Sequence, residues 1–428
     1  MTLMVLTLFG LLIVGTPIGV AIGLASFTYL ILYTSMDPAL IASSFFQYLN
    51  GYSFMAVPFF MLAGLLMEKT GLMKEIFNFA AATLGWVRGG LGAVSIVTSA
   101  LLAALTGSAV ASASALAIIA IPRMLASGYS KKVAAGIVCA GGTMANLIPP
   151  SIWLILYGIV TDTSVASLFF AGIIPGLILT VILVVINAVN VRNEPIEVLP
   201  FNWGNALHGL VHSLAGLGLP VVVLGGLYGG IFTPTESGAA ACLYALLYGY
   251  ISRKGRFTKE LVESSGPALR LTAMVFFMMG AVGVFQTIAA SEFWPQKLAA
   301  AALSLGLGPI QFLFGYMFAI LILGCFLDGA SMILLTVPVV FPIGLALGIN
   351  PLHMGILLVL NCQLGTITPP VGLNLYAVSG VSGIPVSDVL RGTTPYFLGI
   401  FAFLVFMIYA PQIATWLPGI LFRPVVFG

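Results

Sequence analysis

The stretch NLIPPSIWLILYG, residues 146–158, places Pro149 and Pro150 side by side inside an otherwise apolar segment. Each proline removes a backbone donor, clashes with the preceding turn and pushes the residue before it out of the helical region. Inside hydrocarbon, such a break is tolerated only where protein or a water-filled cavity satisfies the freed carbonyl groups. The stretch therefore predicts a helix interrupted within a membrane, either as a packing kink or as part of a ligand site.

Hydrophobic residues make up 60% of the chain, charged residues only 6%, and the mean hydropathy is +1.15. Soluble proteins usually contain about 45–50% apolar and about 25% charged residues, so the composition predicts an integral protein of a lipid bilayer. Apolar runs long enough to cross a hydrocarbon core about 30 Å thick recur along the chain. They include residues 1–35, 76–105, 165–190, 216–250, 301–325 and 396–411. Because the alternating strands of a membrane barrel are missing from the sequence, we expect an all-α polytopic bundle of roughly ten to a dozen spans and broken half-spans.

The net charge is only +3, but positive residues are concentrated in SRKGRFTKE, residues 252–260. The positive-inside bias places this loop on the cytoplasmic side. A nucleic-acid site would need more cations and interleaved aromatic residues, so no nucleic-acid partner is predicted. His208 and His212 lie four residues apart without a third ligand nearby, and the four cysteines are scattered singly. The spacing of these residues therefore predicts no zinc-type centre.

The chain carries an internal repeat. IPPSIWLILYG in the first half resembles TPPVGLNLYAV near the C-terminus, and IPRMLASG resembles FPIGLALG at the same offset of 220 residues. The matched prolines are Pro122, Pro149 and Pro150 in the first half, and Pro342, Pro369 and Pro370 in the second. Secondary transporters are built from two such repeats, whose broken helices meet near the membrane midplane and bind substrate and coupling ion there.

The repeat predicts the domain organisation. The first repeat comprises residues 1–190, a polar linker and amphipathic segment follows at 191–215, and the second repeat comprises residues 216–428. Each repeat is expected to contain a re-entrant hairpin followed by a broken helix. The hairpins are expected near 90–125 and 310–345, and the breaks at 146–151 and 365–371.

Polar residues lie at the predicted hairpin tips. Residues 106–108, Thr-Gly-Ser, separate one apolar run from the next, and Asp328 takes the matching place in ILILGCFLDGASMILL. An ionisable group inside such a run is costly and usually faces a cavity. Beside Gly329 and Ser331, the Asp328 carboxylate would be a hard oxygen ligand for a small cation, although helix capping or pairing with a cation is the alternative. Ser112, further along the first hairpin, could instead serve helix packing.

The segments at the breaks add further polar groups. GGTMANLIPP contains Thr143 and Asn146, and CQLGTITPP contains Gln363, Thr366 and Thr368. Two polar tips facing two proline breaks predict one oxygen-lined site per repeat, with a small cavity between them. Neutral donors and the positive ends of half-helices would suit an anionic substrate.

Over essentially its whole length, the chain resembles the large membrane (M) subunit of tripartite ATP-independent periplasmic (TRAP) transporters. The motifs that carry the resemblance, in the order of the family, are TGSAVASASA, IPRMLASGYS, NLIPPSIWLILYG, GGIFTPTESGAAA, FLDGASMILLTVP and TPPVGLNLY. The resemblance implies sodium-coupled uptake of a carboxylate-bearing solute, such as a dicarboxylate or sialic acid, delivered by a periplasmic substrate-binding protein. It implies an inverted repeat with a scaffold and an elevator-type transport domain in the bacterial inner membrane. A small membrane subunit of the Q type is expected as a separate chain, and sodium is the only metal and no cofactor is expected.

The resemblance also assigns roles to residues. The predicted sodium ligands are Thr106, Gly107, Ser108, Asn146, Asp328, Gly329, Ser331, Gly365, Thr366 and Thr368. The predicted substrate-binding residues are Ser108, Ser112, Thr143, Pro149, Pro150, Pro369 and Pro370. Many family members carry a second serine after TGS, where this chain has Ala109, which leaves open which hydroxyls serve the first sodium site. Arg123 is a cation near the first hairpin to which the sequence assigns no role.

Two other functions are weighed against this prediction. A self-sufficient sodium–carboxylate symporter would share the two-hairpin plan but need no binding protein. An intramembrane hydrolase would need a base close to Ser108, or a second buried carboxylate to pair with Asp328. Glu236 is the other carboxylate near apolar sequence, but it follows Pro234 at the expected start of a helix and is predicted to cap that helix. The sequence therefore predicts a transporter and not an enzyme.

Overall fold

The fold is that of an all-helical membrane protein. The structure, a computed structural model, describes residues 2–34, 37, 39–106, 108–197, 203–253 and 255–422. The helices are α1 (Thr2–Ile13), α2 (Ile18–Tyr33), α3 (Ala39–Leu49), α4 (Ala56–Lys69), α5 (Leu72–Leu84), α6 (Gly90–Thr106), α7 (Ala109–Ala126), α8 (Lys131–Gly142), α9 (Ile152–Thr161), α10 (Val165–Asn190), α11 (Trp203–Tyr228), α12 (Pro234–Ser252), α13 (Thr258–Ser291), α14 (Trp294–Ser304), α15 (Pro309–Gly324), α16 (Gly329–Ala346), α17 (Pro351–Thr366), α18 (Leu373–Ser382), α19 (Val386–Tyr409) and α20 (Gln412–Leu421). Short 3-10 turns occupy Tyr52–Met55 and Thr143–Asn146. No strand occurs in these ranges, which confirms the all-α prediction.

Within the described ranges, six helical segments are long and apolar enough to cross a membrane, and shorter apolar helices of 10–17 residues accompany them. Several apolar runs that the sequence analysis took as continuous contain a turn. The first run is divided between α1 and α2 because Gly15, with a φ of +87°, and Pro17 lie between the two helices. The runs 76–105, 216–250 and 301–325 are likewise divided between two helices, whereas 165–190 coincides with α10.

Helices α2 to α5 and α11 to α13 pack on one another, and we call this group the frame. In this group α12 packs on α4, α13 packs on α2, α3 and α4, and α11 packs on α5. Glu236 begins α12 in a capping box: its backbone N–H donates to Thr233 Oγ1 (3.3 Å), and Thr233 N–H donates to Glu236 Oε2 (2.8 Å). This confirms the predicted capping role. At the opposite end of α12, Arg253 Nη2 donates to Lys69 O (3.1 Å), so the basic loop is attached to the end of α4.

The same order of helices surrounds both proline pairs. Helices α6 to α10 form a hairpin, a helix that ends at the break, a short helix and a long helix, and α15 to α19 follow the same order. In both halves the peptide bond between the paired prolines is cis. The predicted start of the second repeat at residue 216 falls inside α11, because the amphipathic segment of the linker is the first part of that continuous helix.

Arg123, to which the sequence assigned no role, joins the first hairpin to α5. Its Nη1 donates to Asn78 Oδ1 (2.9 Å), and its guanidinium carbon lies 5.0 Å from the centre of the Phe77 ring. The cation therefore has both a hydrogen-bond acceptor and an aromatic face as partners. This contact attaches the outer arm of the hairpin, α7, to a helix that also packs on α11.

Candidate functional site

The first hairpin tip contacts the first break. Ser108 is the N-cap of α7, and its Oγ accepts a hydrogen bond from Ala111 N (3.4 Å). Ala109, the next residue, packs with Ala145 in a small buried cluster against Ile148. The small side chain at position 109 therefore lies between the tip and the break. Gly107 and the side chain of Thr106 are outside the part of the chain that the structure describes.

The first break is almost completely buried. Thr143 Oγ1 donates to Ala140 O (2.7 Å), while Asn146 is only 1% exposed and its Oδ1 has no hydrogen-bond partner. Ser151 links the two sides of the break, because its Oγ donates to Asn146 O (2.5 Å) and accepts from Leu154 N (3.2 Å). Ser112, fully buried near the start of α7, belongs to the same hairpin. Because α7 contacts the turn Thr143–Asn146, the described polar residues Ser108, Ser112, Thr143 and Asn146 lie in one region.

At the second hairpin tip, Asp328 caps α16. Its Oδ2 accepts hydrogen bonds from Ala330 N (3.1 Å) and Ser331 N (3.4 Å), and its Oδ1 accepts one from Ser331 Oγ. The capping role that the sequence analysis kept as an alternative is therefore present. Capping uses backbone donors of the first helical turn, and the ion-binding role of the carboxylate remains a prediction.

The second tip meets the second break through backbone contacts. Gly324 and Gly365 approach so closely that a Cβ on Gly365 would lie 2.7 Å from Gly324 Cα. Val371 N, after the paired prolines Pro369 and Pro370, donates to Cys325 O (3.1 Å). The hydroxyls of the break bond back to the helix: Thr366 Oγ1 donates to Gln363 O (2.7 Å), and Thr368 Oγ1 donates to Leu364 O (2.6 Å).

A cavity of about 810 Å³ adjoins the second tip. Asp328 and Ser331 line it on one side, while the turn between α1 and α2 and part of α13, including Phe277, line the other. Most of its other lining side chains are apolar, and Asp328 is the only charged residue among them. Thr368 and Pro369 line a separate cavity of about 110 Å³. None of the described residues of the first hairpin or the first break lines either of these two cavities, so the described site residues of the two repeats do not share them.

The short helix after each break packs against the hairpin of the opposite half. Helix α9 packs on α16, and α18 packs on α7. In the first of these contacts the Trp153 ring lies against Gly329, where an added Cβ would touch the indole. We call the two helix contacts, α9 on α16 and α18 on α7, the crossed packing. Each of them links a break to the hairpin of the other repeat.

Sequence reasoning named Gln363 as a polar group near the second break without assigning it a ligand, and it did not name Asn374, Thr98 or Ser99. Gln363 and Asn374 are 0% exposed, and none of their side-chain amide atoms has a hydrogen-bond partner. The hydroxyls of Thr98 and Ser99 in α6 are also buried and unpaired. Asn374 could have been found by the signal that Gln363 shows, an amide inside an apolar run near a proline break, since a buried polar group without a partner is rare.

A comparison with known proteins gives the family. Residues 5–413 match the family described as tripartite ATP-independent periplasmic transporter, DctM component. The chain belongs to this family. It is 37% identical to a C4-dicarboxylate TRAP transporter large permease protein of Vibrio cholerae, over 99% of this chain and 98% of that protein. It is 35% identical to a sialic acid TRAP transporter large permease protein of the same species, over 96% of each chain.

Two further similarities extend the comparison. An isethionate TRAP transporter permease protein of Oleidesulfovibrio alaskensis is 34% identical over 95% of this chain, but this chain covers only 65% of that longer protein. Among solved structures, the YdaH transporter of Alcanivorax borkumensis superposes with a TM-score of 0.64 at 15% identity, covering 88% of this chain and 90% of that one. The second likeness concerns the fold alone. Together with the apolar helices, membership of this transporter family identifies a multi-pass membrane permease of the TRAP large-subunit type, which is consistent with a protein that is not an enzyme.

Proposed function

We propose that this permease imports a carboxylate-bearing solute of the dicarboxylate or sialic acid type together with sodium ions. The observation that carries the proposal is the duplicated contact between a hairpin tip and a proline break, at Ala109 and Ala145 in one half and at Gly324 and Gly365 in the other. Paired broken helices of this kind bind substrate and coupling ions in secondary transporters. Two of the relatives are named for carboxylate solutes, which supports the solute class.

The sodium ions are assigned to the two tips and breaks. The first ion would use the tip at residues 106–108 with Asn146, and the second would use Asp328 with oxygens of the second tip and break. Their ligands come from Thr106, Gly107, Ser108, Asn146, Asp328, Gly329, Ser331, Gly365, Thr366 and Thr368. The solute would lie beside these ions, near Ser112, Thr143 and the two proline pairs.

Transport would follow an elevator mechanism. Residues 1–190 and 216–428 would form the two repeats, with the hairpins and broken helices moving together against the frame. A small membrane subunit of the Q type and a periplasmic binding protein would complete the complex in the bacterial inner membrane. The two relatives from Vibrio cholerae are each named a large permease protein, which supports a small membrane subunit as a partner.

The test is uptake of labelled succinate and labelled sialic acid into proteoliposomes under an inward sodium gradient, with and without the two partners. Uptake that needs the gradient and both partners would support the proposal. Sodium-driven uptake by this chain alone would replace it with a self-sufficient symporter, and uptake that is equal with potassium in place of sodium would contradict sodium coupling. Liposomes without protein provide the baseline.

A further inference from the structure

Gln363 is a fully buried amide whose hydrogen-bonding groups are unused. It lies in the last turn of α17, is 0% exposed, and neither Oε1 nor Nε2 has a partner. Its backbone carbonyl accepts a hydrogen bond from Thr366 Oγ1, whereas its side-chain amide is unpaired. Burial of an unpaired amide is costly, and a native structure keeps such a group where it has a purpose.

The geometry of α17 shows which way this side chain points. Asn361 Nδ2 donates to Met317 O (2.5 Å), and Gly365 touches Gly324, so these positions face α15 of the second hairpin. Successive residues of an α-helix are rotated by about 100°. Gln363 is two residues from both Asn361 and Gly365, and therefore points away from the second hairpin.

The face of α17 that carries Gln363 meets the first repeat. Ile356 lies seven residues earlier, nearly two turns, and so shares that face. A Cβ on Gly172 of α10 would lie 3.7 Å from Ile356 Cδ1 and 2.5 Å from Leu147 O in the first break. Helix α17 also contacts the 3-10 turn Thr143–Asn146 directly. Gln363 thus belongs to the second repeat but faces the first break, where Asn146 Oδ1 is buried and unpaired.

We propose that Gln363 completes the first site: its amide oxygen and that of Asn146 bind a sodium ion, and its Nε2 donates to the carboxylate of the solute. This inference rests on the proposed function. Amide and carbonyl oxygens are suitable ligands for a hard cation, and a neutral amide can donate to an anion at the same time. One side chain would then contact both ion and solute, so each would bind more tightly in the presence of the other, by the same factor.

The test compares two substitutions at this position with a matched control. Gln363→Met keeps the length of the side chain but removes both polar groups, so we expect at least a tenfold rise in the sodium concentration for half-maximal uptake and at least a fivefold rise in solute KM. Gln363→Glu keeps the oxygens but loses the donor and adds a negative charge. It should leave the sodium requirement unchanged or lower while raising solute KM at least tenfold. Gln412→Met, at the exposed start of α20, should change neither quantity.

Sodium binding is measured separately as the rise in melting temperature of the purified protein in sodium chloride over choline chloride at equal ionic strength. Gln363→Met should reduce this rise and Gln363→Glu should retain it. If both variants keep the wild-type sodium dependence and solute KM, the role of Gln363 is overturned while the proposed function stands. The same holds if the two variants shift both quantities equally. A wild-type protein without any sodium response in uptake or melting would overturn the proposed function, and this assignment with it.

Discussion

Asp328 combines a helix cap that the structure shows with an ion-binding role that we propose, and substitution can separate the two. Its Oδ2 accepts from the backbone N–H groups of Ala330 and Ser331, at 3.1 and 3.4 Å. Asparagine is as effective as aspartate at an N-cap, whereas alanine costs about 0.5–2 kcal/mol. We therefore expect Asp328→Asn to leave the stability of the sodium-free protein nearly unchanged, and Asp328→Ala to lower it by about 1 kcal/mol.

The effect on the ion should be much larger, because both substitutions remove the charge. Two unit charges about 4 Å apart interact by about 4 kcal/mol at an effective dielectric constant of about 20. Each 1.4 kcal/mol or so is tenfold in affinity, which corresponds to a loss of roughly a thousandfold before any compensation. The amide oxygen of asparagine and added water would offset part of this. We therefore expect Asp328→Asn to raise the sodium concentration for half-maximal uptake at least tenfold.

The chain provides a control cap of matching geometry. Asn350 begins α17, and its Oδ1 accepts from Leu352 N (2.9 Å) and His353 N (3.4 Å). Asn350→Ala removes a cap without removing a charge, so its melting temperature should fall about as far as that of Asp328→Ala, with wild-type sodium dependence. Melting curves with and without sodium, together with sodium titrations of uptake, measure both effects. An unchanged sodium requirement in Asp328→Asn would refute the reasoning and leave Asp328 with the capping role alone.

Two further predictions concern the crossed packing and the first break. Gly329→Ala brings a Cβ against the Trp153 ring, so we expect a loss of about 1–3 kcal/mol from overpacking, read as a lower melting temperature. Gly315→Ala is the matched control: no atom lies within 4 Å of its new Cβ, so it should be neutral or stabilising by up to about 1 kcal/mol. Equal melting temperatures of the two variants would contradict the contact between Gly329 and Trp153. Replacing Pro149 and Pro150 with alanine allows a helix across the break, so uptake should fall more than the amount of inserted protein on immunoblots. An equal fall in both would indicate a packing kink.

Local signals allowed part of the fold and site to be predicted. The paired prolines located both breaks because two successive prolines cannot lie in a continuous helix. Glu236, just after Pro234, predicted a capped helix start because the backbone donors and side-chain acceptors of a capping box lie within four residues. Asp328 stood out because a carboxylate in an apolar run is costly unless it has a partner, and the structure indeed gives it hydrogen bonds at a helix start.

Other features depend on contacts that a local pattern does not contain. Hydropathy alone did not separate α1 from α2, because the turn at Gly15 lies within one apolar run. The contact between Trp153 and Gly329 joins opposite halves of the chain, so no local spacing encodes it. His353 in the first turn of α17 is buried, and its Nε2 donates to Met407 O (2.8 Å), a contact that the sequence around it does not reveal. The long-range packing of α19 on α17 decided its environment.

Under the proposed ion-coupled mechanism, the crossed packing would bear on the efficiency of energy conversion. Because α9 packs on α16 and α18 packs on α7, a displacement at one break would disturb the opposite hairpin. A carrier that crossed the membrane with only one half loaded would dissipate the ion gradient without delivering its cargo. Interlocked halves oppose such slippage, since an empty, loosened half would also disturb its loaded counterpart. The same contacts that stabilise the fold would thus help to keep the ratio of ions to solute constant.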